Sequence, residues 1–200
     1  MTLVYLTEMM YNNHRHIILY VCGYFFTFTE VCCGTVMNMK LYLKRDVSAR
    51  DAGFILYDES GNEKYRAVSV STKVTKRTNL LLLDANGQPA AKIRRLPIVG
   101  TYTFVMRVKK SHITFVMVPV KGEILSYFYG NNWHVNGNIA AKNFTVIDVD
   151  KTVILHHRKH ADHCTLEYFD RDNELYCVTA AICANLINTV EKPVIKAVNI

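Results

Sequence analysis

The feature that most constrains this chain is the contrast between its body and its carboxyl end. About a dozen short runs of β type, separated by tight turns, precede one long uncharged segment, Leu175–Val190. Glu174 before this segment and Pro193 after it are boundary signals of a helix. A helix that is apolar nearly all round lies in a protein core or in a membrane, and about 24 Å is short for a bilayer. We therefore expect this helix to fill the inside of a β structure.

The runs of β type follow one another at the spacing of a β-meander, and Asn, Gly and Asp mark most of their connections. The predicted strands are 39–45, 53–58, 63–70, 78–84, 89–95, 101–109, 112–118, 123–129, 132–136, 143–149, 152–158 and 163–169. No linker interrupts them, so residues 39–200 are predicted to form one domain. A barrel wider than about eight strands needs something besides wall side chains to fill it, and the helix is suited to this role.

A weak internal repeat supports this reading of the turns. The segments Phe54–Asn62 and Leu80–Gln88 share four apolar residues, an Asp, two variable residues, a Gly and an amide. An Asp at the first position of a turn accepts backbone N–H groups, and Gly takes the left-handed position. We interpret Asp58 and Asp84 as structural turn residues and not as calcium ligands or acid–base groups.

Residues 1–38 form a hydrophobic extension that has three interpretations. The uncharged run Ile17–Thr29 has the length of a signal-peptide core, and extending it to Met37 reaches spanning length but includes Glu30. Alternatively, translation begins at Met37 or Met39, so that the upstream residues are a spurious start. We prefer the spurious or dispensable extension to a signal or an anchor. The domain is then expected in the cytoplasm or peripheral to a membrane, and exported or anchored only if the extension is a genuine signal.

Residues 39–191 resemble the LURP-one-related family of the tubby C-terminal-like superfamily. Phospholipid scramblases also resemble this superfamily. The resemblance depends on the order and spacing of Met39–Lys44, Asp58–Asn62, Asp84–Gln88, Ala91–Arg95 and Leu175–Val190. It implies a mainly β fold, a closed antiparallel barrel of about twelve strands around a central hydrophobic C-terminal helix. Residues 1–38 and Lys192–Ile200 depart from the family pattern. Phosphoinositide binding is associated with the tubby branch, but no specific binding motif of that branch matches here.

The formal net charge is +7, and residues 1–38 contribute only Arg15 against Glu8 and Glu30. A basic surface favours anionic lipid or nucleic acid as a partner, although it also simply promotes solubility. On a strand, Lys92 and Arg94 share one face, as do Arg107 and Lys109.

If these two faces are outward and adjacent, the four side chains form a patch for phosphate groups. We predict a non-enzymatic binding or scaffold domain for anionic, phosphoinositide-type lipid headgroups. A protein-interaction module without a small ligand is the alternative, and a nucleic-acid partner is not expected.

The only metal-like cluster comprises His156, His157, His160, His163 and Cys164. It lacks a recognised ligand spacing, and adjacent His156 and His157 point to opposite faces of a strand. We therefore predict no metal site and no cofactor. The sequence also contains no nucleophile elbow, phosphate loop or H-E-x-x-H motif, so we predict no catalytic residues. The cysteines of the body form no disulfide framework.

Overall fold

The computed structural model describes residues 5–11, 14–21, 24–30, 38–47, 53–70, 79–121 and 123–187, and it divides into the units Met1–Met37 and Asn38–Ile200. The first unit contains strands β1 (Tyr5–Tyr11), β2 (His14–Val21) and β3 (Tyr24–Glu30). They form an antiparallel sheet in the order β1-β2-β3. The run Ile17–Thr29 thus falls mainly on β2 and β3, and the spurious, signal and anchor interpretations of this extension stay hypotheses.

The second unit contains twelve strands and one α-helix. They are β4 (Met39–Asp46), β5 (Gly53–Tyr57), β6 (Glu63–Ser69), β7 (Asn79–Asp84), β8 (Pro89–Leu96), β9 (Tyr102–Val108), β10 (Ser111–Val120), β11 (Glu123–Tyr129), β12 (His134–Asn138), β13 (Asn143–Ile147), β14 (Val153–Lys159), β15 (Cys164–Tyr168) and α1 (Glu174–Leu186).

Each of these strands pairs antiparallel with the next along the chain, and β15 pairs with β4, which closes the barrel. The twelve predicted strands are all present, and the predicted fold class is confirmed. The helix begins one residue before the predicted start at Leu175, after a single 3-10 turn over Arg171–Asn173. The last predicted helical residues, 188–190, lie outside the described part of the chain.

The repeated turns have the geometry that their sequences predict. In the first, Oδ1 of Asp58 accepts the backbone N–H groups of Ser60 at 2.9 Å and Asn62 at 2.8 Å. The second turn repeats both bonds from Asp84 at 2.9 and 2.8 Å. Gly61 has a φ of +81°, in the left-handed region that glycine occupies without steric cost. Both aspartates are therefore structural.

The core forms between the inward faces of the strands and α1. Inward side chains such as Leu56, Met106 and Leu155 have no exposed surface, and buried and more exposed residues alternate along β7 and β8. The helix is buried over Cys177–Leu186, including the small side chains of Ala180, Ala181 and Ala184. No helix in the described ranges is both long and apolar enough to cross a membrane.

A buried carboxylate holds the first turn of α1. Glu174 accepts hydrogen bonds from the hydroxyl groups of Tyr65 at 2.7 Å and Tyr168 at 2.6 Å, and Nζ of Lys64 lies 2.6 Å away. Burial by itself would raise the pKa of Glu174, but the hydrogen bonds from Lys64, Tyr168 and Tyr65 outweigh it and leave that pKa below its ordinary value. This ionised carboxylate joins the helix to β6 and β15.

Candidate functional site

The predicted basic residues of β8 and β9 lie on the outer face of the barrel. In β8, exposed Lys92 and Arg94 alternate with buried Ala91 and Ile93. In β9, exposed Arg107 stands between two buried residues. The register pairs Lys92 directly with Arg107 across the two strands, so that their side chains share one face about 5 Å apart at Cβ.

These side chains line one groove. Lys92, Arg94, Val105, Arg107 and His112 surround a cavity of about 270 Å³ that spans three neighbouring strands. His112 enters because the β9–β10 register pairs it with Arg107. The sequence prediction missed His112, and strand alternation together with this register is the signal that could have found it. We call these five residues the outer groove.

Lys109 is not part of the outer groove. Strand β9 ends at Val108, which pairs with Ser111, so Lys109 and Lys110 form the two-residue connection to β10. Lys109 has a φ of 53°, a turn conformation, and its side chain is exposed. The expectation that Lys109 shares a strand face with Arg107 was wrong, because no strand continues as far as Lys109.

No carboxylate lines the outer groove among the described residues. The described ion pairs involve other cations: Lys40 with Glu167, Lys44 with Asp162, Lys64 with Glu174, and Arg66 with Asp46 and Glu63. Neighbouring Arg95 instead lies over the Tyr102 ring, with its guanidinium carbon 5.4 Å from the ring centre. The groove therefore offers two guanidinium groups and one ammonium group to an anion.

The histidine cluster divides between the core and the surface. His157 is fully buried and stacks on Phe144, whereas Nδ1 of His156 contacts Oγ1 of Thr145 at 2.9 Å. His160 and His163 stack on each other with ring centres 4.7 Å apart. Within the described ranges, no group of three His, Cys, Asp or Glu residues is arranged to hold a metal ion.

Two bonds fix the ring of His157. Its Nδ1–H donates to the carbonyl oxygen of Lys142 at 2.8 Å, and its Nε2 accepts from Nδ2 of Asn185 at 3.1 Å. Burial lowers the pKa of His157 from its usual 6.5 to about 4. The imidazole is therefore a neutral element of the core.

The cysteines of the barrel are also core residues. Cys164, Cys177 and Cys183 are buried and form no disulfide, and burial raises the pKa of each thiol above its usual value. A thiol in such surroundings is a poor nucleophile, because the reactive form is the thiolate.

A family model described as LURP-one-related matches residues 39–183, which include all twelve barrel strands and most of the helix. The chain belongs to the LURP-one-related family. An X-ray structure of an Arabidopsis thaliana protein is similar to this LURP-one-related chain, with a TM-score of 0.54 and 13% sequence identity. The similarity covers 76% of this chain and 91% of the plant protein, and at that identity it shows a shared fold. No curated protein matches this member of the LURP-one-related family.

Proposed function

We propose that this protein is a non-enzymatic binding domain that holds phosphate groups of anionic, phosphoinositide-type membrane lipids in the outer groove. The observation that carries the proposal is that Lys92, Arg94 and Arg107 line one groove with no carboxylate among its described residues. Lys109, exposed in the adjoining turn, adds positive charge nearby without lining the groove.

The chemistry of the three side chains suits a phosphorylated headgroup. Each guanidinium forms paired hydrogen bonds with phosphate oxygens, and Lys92 contributes a compact charge. Near an anionic membrane, each Lys or Arg contributes about 1 kcal/mol of attraction, so three contribute about 3 kcal/mol at low salt. The phosphoinositide binding associated with the tubby branch agrees with this proposal, but only as an analogy between folds.

The test compares binding of the full chain to phosphoinositide-doped vesicles and to neutral vesicles. We expect salt-sensitive binding to the doped vesicles, because charge attraction weakens with ionic strength. Reversing Lys92, Arg94 and Arg107 together to Glu should lower the affinity at least a hundredfold, which corresponds to about 3 kcal/mol. Binding to doped vesicles no stronger than to neutral ones at low salt would contradict the proposal.

A matched control separates the groove from the overall charge of the protein. Lys121, Lys151 and Arg158 are exposed cations that do not line the outer groove. Reversing these three to Glu changes the net charge by the same amount as the triple variant of the groove. We expect this variant to retain most of the affinity. An equal loss in both triple variants would mean that the protein binds through its general charge and that the outer groove is not a site. Lys109→Glu alone should change the affinity only slightly, because Lys109 attracts the membrane at a distance and does not line the groove.

The alternative, a protein-interaction module, is favoured by the junction of β11 and β12. Among the described residues, β11 and β12 are joined by one pair of facing residues, Tyr127 and His134. The neighbouring strands are joined by at least four such residue pairs each. A groove of about 430 Å³ follows this junction, lined in part by Ile124, Val135 and Leu125, whose exposed fraction is 55%. Strand edges with few backbone partners accept an extended peptide as an added strand.

Extended peptides selected from a displayed library against the full chain would test this second function. The selected peptides should lose affinity for Leu125→Lys and keep it for the triple reversal of the outer groove. The opposite pattern would assign the peptides to the outer groove and would contradict the interaction module.

A further inference from the structure

Three cations stand on the rim of the barrel: Arg45 and Lys159 are exposed near the ends of their strands, and Lys142 is half-buried in a turn. Arg45 continues the inward face of β4 after Leu41 and Leu43, and Lys159 follows buried His157 on β14. Lys142 lies in the turn immediately before β13, next to Asn143. These strands meet at the end of the barrel where α1 ends.

The three cations line a small cavity, which we call the mouth. Its volume is about 180 Å³, and Cys164 and Asn185 also line it. Asp162 is the only carboxylate among the described lining residues, its side chain is 69% exposed, and it contacts Lys44 at 3.4 Å and His163 at 2.7 Å. No described ion pair involves Arg45, Lys142 or Lys159. The mouth therefore holds three cationic side chains and a single carboxylate, which contacts Lys44 outside the lining and His163 within it.

Hydrogen bonds fix the backbone of Lys142 in its turn. Its φ of 61° lies in the left-handed region, its N–H donates to the carbonyl of Ile139 at 2.9 Å, and its own carbonyl accepts from His157. Burial lowers the pKa of Lys142, and the charges of Lys159 and Arg45 lower it further. A strained residue and like charges held close together both cost stability, so this arrangement is suited to a ligand that neutralises it.

We propose that the mouth binds a compact phosphate dianion through Arg45, Lys142 and Lys159. The cavity is smaller than the roughly 300 Å³ at which pockets for larger organic ligands begin, so a phosphate group fits better than a large molecule. Arginine supplies paired hydrogen bonds to two phosphate oxygens, and the two lysines supply point charges. This site shares no described residue with the outer groove, so neither proposal depends on the other.

The rival role for these cations is structural, since positive charges near the end of a helix interact favourably with its last carbonyl groups. The two roles predict different stabilities without phosphate. If the cations stabilise the last carbonyl groups of the helix, Arg45→Gln and Lys159→Gln should destabilise the barrel equally with and without phosphate. If they form a phosphate site, each change relieves repulsion, so stability without phosphate should be equal or higher, and stabilisation by added phosphate should be lost.

The experiment titrates the full chain with inorganic phosphate by calorimetry and follows its unfolding by urea at several phosphate concentrations. We expect saturable binding that weakens tenfold or more in Arg45→Gln and in Lys159→Gln, which corresponds to at least about 1.4 kcal/mol for each. Arg158→Gln, an exposed cation next to Lys159 that lines neither the mouth nor the outer groove, is the matched control and should bind phosphate normally. The absence of saturable binding to the unaltered chain, or equal destabilisation of the variants in all buffers, would overturn the proposal.

Phosphoinositide vesicles distinguish two sources of the phosphate group. If Lys159→Gln no longer binds inorganic phosphate but still binds the vesicles, the ligand of the mouth is a free phosphate or a phosphomonoester. If it loses both kinds of binding, the mouth takes the phosphate of a headgroup.

Discussion

The buried imidazole of His157 makes the stability of the barrel depend on pH in a defined window. The pKa of His157 is about 4 in the folded protein and 6.5 in its usual, solvated state. Between these values the unfolded chain binds a proton that the folded barrel does not. The contribution of His157 to stability is therefore complete above pH 6.5 and is lost as the pH falls toward 4.

The magnitude follows from the same two values. The full difference corresponds to about 3 kcal/mol, and about 2 kcal/mol of it should be lost between about pH 8 and about pH 5. The physical cause is burial, and a proton added at Nε2 would also face the amide N–H of Asn185. The pKa of Glu174, Asp58, Asp150 and Asp162 is lowered, so their contribution is lost only at lower pH and lies mostly outside this interval.

The assay is urea unfolding of the full chain and of His157→Asn at both ends of this interval. The variant keeps a donor near the Lys142 carbonyl but has no titrating ring, so its free energy of unfolding should fall by about 2 kcal/mol less than that of the unaltered protein. His156→Asn, one position away on the outer face, is the matched control for removing an imidazole. An equal fall in the free energy of unfolding for the unaltered protein and His157→Asn would show that His157 does not cause this pH dependence. So would an NMR titration that places the pKa of His157 in the folded protein above about 6.

Further predictions concern the helix anchor and the turns. Glu174→Ala should lower the free energy of unfolding by about 3 kcal/mol, because it leaves the buried hydroxyl group of Tyr168 and the half-buried one of Tyr65 without their acceptor. Glu167→Gln at a surface ion pair should cost less than about 1 kcal/mol. Similar urea curves for these two variants would show that the buried carboxylate does not anchor the helix. Gly61→Ala should cost about 1 kcal/mol through its positive φ alone, because no heavy atom lies within 4 Å of the added carbon. Lys151→Gly at the corresponding position of another turn, with a φ of 68°, should stabilise by up to about 1 kcal/mol, and effects of the opposite sign in thermal unfolding would contradict this account.

The strands were predictable because their turns carry local chemical signals. Asp84 bonds its own turn wherever the strand lies in the barrel, so local sequence is sufficient to place the end of β7. Between β9 and β10 the turn consists of Lys109 and Lys110. Lysine is not a residue type that indicates positive φ, although Lys109 adopts it here. The prediction placed that turn one residue too late. Because the predicted strand extended one residue past Val108, Lys109 was assigned to the face of Arg107 although it lies in the turn.

The two basic sites differ in how far the sequence could locate them. The outer groove joins successive strands, so alternation indicated Lys92, Arg94 and Arg107, and only the register was needed to add His112. The mouth joins β4, β13 and β14, which come together only when β15 pairs with β4. Arg45 and Lys159 each lie two residues beyond a buried residue, and this local pattern is the signal that sequence reasoning missed.

The placement of the acidic residues explains why the positive charge collects at these two sites. Carboxylates of the described barrel are largely occupied by structural bonds: Asp58 and Asp84 bind turn amides, and Glu174 binds the tyrosines at the start of the helix. Other carboxylates pair with Lys40, Lys44 and Arg66 on the wall. The chain has 24 basic and 17 acidic residues, and among the described residues the cations of the outer groove and of the mouth take part in none of these ion pairs. A surface that merely promoted solubility would intersperse charges of both signs, whereas the outer groove and the mouth each concentrate positive charge in a cavity, as both proposals require.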